Sequence, residues 1–103
     1  MAQEGRSFRG VNMTKEDLLM ALQAAVGDTP YGRKLVSEAD ETWGDAEKKY
    51  GWNMKDRLDD KIGVLKAYQK IHAAAGKEAL AEAEGERIAV CEKALDAIRG
   101  FYE

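Results

Sequence analysis

Three junctions cut residues 14–103 into long uninterrupted stretches, and that punctuation limits the fold more than any other feature. At Gly27-Asp-Thr-Pro30, at Gly51-Trp-Asn53 and at Gly76, a residue that stops helices is followed within a few positions by a helix start. The chain has one proline, Pro30. It falls at a first helical position behind the capping residue Thr29, where its missing N–H costs nothing. Thr14 followed by Asp17 is an N-cap pattern, and Asn53 followed by Asp56 is another. Between the junctions the apolar residues recur at helical spacing, as in Leu18, Leu19, Leu22, Ala25 and Val26. No stretch alternates as a half-buried strand does.

The pattern predicts an all-α fold: an antiparallel up-down bundle of three long helices preceded by one short helix. The short helix runs from Thr14 to Gly27. The long ones reach to about Tyr50, Gly76 and Tyr102, at roughly 21, 23 and 26 residues, or about 31–39 Å each. Short connections at Gly51 and Gly76 favour antiparallel neighbours. Residues 1–13 show no sustained period and read as a flexible N-terminal segment, so 14–103 forms a single helical-bundle domain.

Projected at 100° per residue, the second helix gathers Tyr31, Leu35, Val36, Ala39, Trp43, Ala46 and Tyr50 within about 140°. The last two helices are greasier, with apolar arcs of about 180°. Such arcs need neighbours on two sides, more than one short helix supplies. The expectation is self-association, a dimer being simplest, through Leu58, Ile62 and Leu65 on the third helix and Ile88, Leu95 and Ile98 on the fourth. Charge favours pairing of these two helices. Residues 52–76 carry five basic residues against three acidic, and 77–103 carry four against seven. Each exposed pair is worth only about 0–1 kcal/mol.

Composition narrows the function. The net charge of −3 gives no global attraction to a nucleic-acid backbone. No apolar run approaches the ~20 residues that cross a bilayer, and Met1 to Arg9 lacks the apolar core of a secretion signal. One cysteine, Cys91, makes neither an intrachain disulfide nor a thiolate metal cluster. A soluble cytoplasmic protein of bacterial type is the expectation, with neither nucleic acid nor membrane as partner.

Several chemical motifs come close and fail. Gly27-Asp-Thr-Pro-Tyr-Gly32-Arg-Lys34 has P-loop glycine spacing, but Arg33 stands where lysine must be, Lys34 where a hydroxyl must be, and a helix precedes it. No Glu-x-x-His or His-x-x-x-His occurs, so metal-ligand spacing is lacking. Glu38/Asp40/Glu41 and Asp56/Asp59/Asp60 read as solvated faces. Trp43, Tyr50 and Trp52 among Lys48, Lys49, Lys55 and Arg57 echo a stacking surface for single strands. Trp43 and Tyr50, however, lie on a packing face. Cys91 lies mid-arc, as a buried inert thiol would. Gly44, Gly63, Gly85 and Gly100 interrupt predicted helices at about 1 kcal/mol each, which a close crossing or a bend would explain.

One polar patch interrupts the greasy seam. His72 lies inside the apolar arc of the third helix, and Glu84 and Arg87 lie inside that of the fourth. A turn at Gly76 sets Glu84 level with Tyr68 and Arg87 with Leu65. Tyr68, His72, Glu84 and Arg87 then form a candidate site: a register-setting ion pair, the rim of a partner-binding groove, or a pocket for a small anionic ligand. His72-Ala-Ala-Ala75-Gly76 also resembles the His-x-x-Lys-Gly pattern of histidine-phosphotransfer domains at its histidine and its glycine. Alanine stands in the lysine position, and the basic residue arrives at Lys77. That resemblance implies a signalling module with His72 as phosphoacceptor. The sequence calls for no catalytic residue, metal or cofactor. Its leading expectation is a non-enzymatic helical module that packs against itself or against a protein partner.

Overall fold

The computed structural model of the chain describes residues 14–48 and 53–102, the side chains of 44–48 excepted. The segment 1–13 and the residues Tyr50, Gly51 and Trp52, on which expectations were placed, lie outside it. Four α-helices run in order: α1 (Lys15–Val26), α2 (Pro30–Lys48), α3 (Met54–Ala74) and α4 (Glu78–Ile98), closed by a 3-10 turn at Arg99–Tyr102. No strand occurs among the described residues. No described helix is long and apolar enough to cross a membrane.

The ends form as their residues dictate. Thr14 Oγ1 accepts from the Asp17 N–H at 3.1 Å while the Asp17 carboxylate accepts from the Thr14 N–H at 3.2 Å, a reciprocal capping box. Thr29 Oγ1 accepts from the Gly32 N–H at 3.0 Å and donates to the Val26 carbonyl at 3.2 Å, so one hydroxyl serves the end of α1 and the start of α2. The connection is tight enough that a Cβ on Gly32 would fall 1.8 Å from the Val26 carbonyl oxygen. Arg33, a cation at the positive end of α2, donates from Nη1 to the Gly27 carbonyl at 3.1 Å and so caps the negative end of α1. Asn53 accepts from the Asp56 N–H at 2.8 Å to start α3. Gly76, at φ 78°, ends it, with Lys77 N–H to the His72 carbonyl at 2.8 Å and Gly76 N–H to the Ala73 carbonyl at 3.1 Å. That is a Schellman turn, and its left-handed residue favours glycine.

α3 and α4 pack closely and are joined by only three residues, 75–77, which an antiparallel hairpin requires. α1 and α2 form a second pair, tied by Lys15 and Asp40 at 2.7 Å, and α1 lies against α4. The core comes from Leu18, Leu22 and Val26 of α1, Leu35 and Ala39 of α2, Met54 and Leu58 of α3, and Ile88 to Ile98 of α4. All of it lies in the half of the hairpin remote from Gly76. Between Leu58 and Ile88 no residue is fully buried. The molecule is accordingly elongated, 56 × 26 × 21 Å, with a base thickened by α1 and α2 and a tip that, among the described residues, consists of α3 and α4 alone.

The expected partner surface is corrected by this arrangement. Leu58, Ile88, Leu95 and Ile98 are buried in the chain's own core, and Ile62 and Leu65 pack partly buried against it. The short α1 covers this stretch because Leu18, Leu22 and Val26 recur every four residues and present one continuous ridge. Among the described residues, the large apolar side chains that remain exposed on the hairpin are Val64, Tyr68, Ile71 and Leu80.

Candidate functional site

Three of the four residues of the polar patch meet at the tip. Tyr68 and His72 are four residues apart on α3, and their rings stack at 6.1 Å with planes 20° apart. His72 Nδ1 reaches across to Glu84 on α4, 2.7 Å from Oε2 and 2.9 Å from Oε1. A turn below, Gln69 Nε2 donates to the Ala81 carbonyl at 3.2 Å. The His72 and Glu84 side chains keep 24 % and 12 % of their surface exposed, so both are mostly covered by the seam.

α3 ends at Ala74 and α4 starts at Glu78, evenly placed about Gly76. Glu84 nonetheless reaches His72, one turn nearer the tip than Tyr68, because side chains lean toward the N-terminus of their own helix, toward the base on α3 and toward the tip on α4. Arg87 does not join the patch. Its guanidinium lies over the Tyr31 ring of α2, 5.5 Å from the centroid, a cation–π contact at the top of the covered half. Glu84 therefore gives its carboxylate to the imidazole, and Arg87 serves the junction with α2.

A second polar cluster escapes a reading of the sequence. Glu38, expected on a solvated face, has only 20 % of its side chain exposed and is held by Arg57 Nε and by Lys61 Nζ, the latter at 3.1 Å. Burial alone would raise its carboxyl. The hydrogen bonds and charges of Arg57 and Lys61 outweigh burial and hold it below the usual carboxylate range. The signal was present: Glu38 projects about 20° outside the apolar arc of α2, next to Tyr31. Arg57 and Lys61, one turn apart, show it two cations from α3.

Behind this pair the Cys91 thiol, fully buried, approaches the Tyr31 hydroxyl at 3.8 Å. Burial pushes the thiol upward, with the Tyr31 hydrogen bond opposing. Burial and the neighbouring Cys91 push the Tyr31 hydroxyl up to about 12. Both groups stay protonated at neutral pH, which suits packing and gives no nucleophile. Trp43 packs partly buried against the core, as its place on the packing face predicts. Among the described residues no three His, Cys, Asp or Glu side chains gather as a metal site would need.

Comparison with known family models, curated proteins and solved structures finds no match to this chain.

Proposed function

We propose that the chain is a non-enzymatic helical interaction module working in the cytoplasm, and that its contact surface is the distal half of the α3–α4 hairpin. One observation carries this. Tyr68 is 52 % exposed and Leu80 48 % in a stretch of two amphipathic helices where no side chain is fully buried. Large apolar groups left in water along a continuous seam mark a surface that gains free energy when covered, by about 25 cal/mol for each Å² removed from water. The single, unpaired thiol suits a reducing compartment.

The local chemistry gives less support to the other two readings. A phosphoacceptor histidine must reach a partner's active site and then hold a dianion. His72 is largely covered, and phosphate there would sit against the Glu84 carboxylate. A pocket for an anion needs gathered cations, and Arg87 is turned toward Tyr31.

The test is a photoreactive phenylalanine at position 68, irradiated in cells that express the chain, against the same label at exposed Asp96 on the far half of α4. Covalent adducts at 68 and not at 96 support a contact surface at the tip. Equal labelling at both, or none at either, contradicts it.

A further inference from the structure

The partner is indicated by where α2 stops. Lys61 on α3 pairs with Glu38 of α2, and Arg87 on α4 lies over Tyr31 of α2. Tyr68 comes two turns after Lys61, and Leu80 two turns before Arg87, so each continues toward Gly76 the stripe that α2 covers nearer the base. Beyond Pro30, the first residue of α2, nothing in the described chain continues that cover. The stripes run bare for about three turns, roughly 16 Å.

Resting on the reading of the tip as a contact surface, we propose that a second copy of this chain fills the step. The two hairpins lie face to face and antiparallel about a two-fold axis, each tip against the other's uncovered stripes. The shape favours this occupant. A thick base and a thin tip fit their own inverse, so antiparallel overlap fills both steps at once and closes the assembly at two copies. A parallel arrangement would drive the two α1–α2 pairs into each other.

The electrostatics agree. The titratable groups within the seam at the tip, His72 and Glu84, are paired with one another, so two like surfaces meet without repulsion. The contact is small, resting on Tyr68 and Leu80. It belongs at the low end of specific interfaces, below about 1,200 Å² in total, and associates weakly and reversibly.

Sedimentation equilibrium of the full chain from about 10 µM to about 1 mM tests this. The wild type and Met20→Glu, a control on the exposed side of α1, should rise from one chain mass toward two. Tyr68→Glu and Leu80→Glu should stay at one mass throughout, with helical circular dichroism unchanged. A wild-type mass that never rises, or association that survives both tip variants, overturns the second copy as partner. Adducts from position 68 to a different protein, with the pure chain monomeric, overturn it while leaving the contact surface standing. Absence of any adduct at 68 removes both.

Discussion

Leu58 and Leu80 belong to the same hairpin and to the same kind of apolar stripe, yet one has no exposed surface and the other keeps 48 %. The difference lies in what stands opposite. Leu58 faces a core to which α1 and α2 contribute, while Leu80 lies beyond the start of α2, where the described chain supplies nothing more. Periodicity measures how much of a helix is greasy. It does not say which neighbour covers it, or how far along the rod that cover extends. A short helix with a well-spaced ridge can seal one half of a hairpin completely and leave the other half bare.

That contrast has measurable consequences, the largest first. Leu58→Ala should cost about 2–5 kcal/mol in chemical denaturation, because a filled core loses its packing. Leu80→Ala in dilute protein should cost under about 1 kcal/mol, because a half-exposed side chain gives up little burial. Similar losses at both positions would erase the distinction between base and tip.

Glu38→Gln should cost about 1–2 kcal/mol at neutral pH, since it leaves Arg57 and Lys61 facing each other without the carboxylate. The sign with pH is set by the lowered carboxyl. Its contribution is complete above the unfolded value of about 4.3 and disappears as pH falls through the lower folded value. Thermal unfolding across pH 2–7 should therefore show the wild type losing its advantage over the variant in that acid range. An advantage that persists at pH 2 would contradict the assignment.

At the tip, Glu84→Gln should cost less, about 0.5–1 kcal/mol, because the imidazole it pairs with keeps some contact with water. Thermal melts at pH 6 suffice, and an unchanged midpoint would argue that the pair fixes nothing. Smallest of all, Gly63→Ala should stabilise the fold by about 0.5–1 kcal/mol. A Cβ there meets nothing within 4 Å, and alanine restricts the unfolded chain.

Much of the fold was legible in the sequence for local reasons. Thr14, Thr29, Asn53 and Gly76 end or begin helices through side chains or a backbone angle that act within a few residues of themselves. The candidate site was legible only in part. His72 and Glu84 were placed together by their shared seam, but which way each long side chain leans decided that Glu84 meets His72 and Arg87 meets Tyr31. The Glu38 cluster needed the docking of α2 on α3, which no local rule contains. The surface expected to meet a partner was wide enough, and its greasiest part was claimed by α1 instead. Of the mid-helix glycines, Gly85 has Gln69 as a close neighbour, whereas nothing in the structure explains Gly63.

Amide hydrogen exchange read residue by residue at two protein concentrations tests the central contrast most directly. In dilute protein, amides of 64–74 and 79–86 should exchange through local opening, well ahead of those of 55–62 and 88–98, and should gain protection as concentration rises. Uniform protection along the whole hairpin, indifferent to concentration, would mean that its distal half is as complete as its base and awaits no partner.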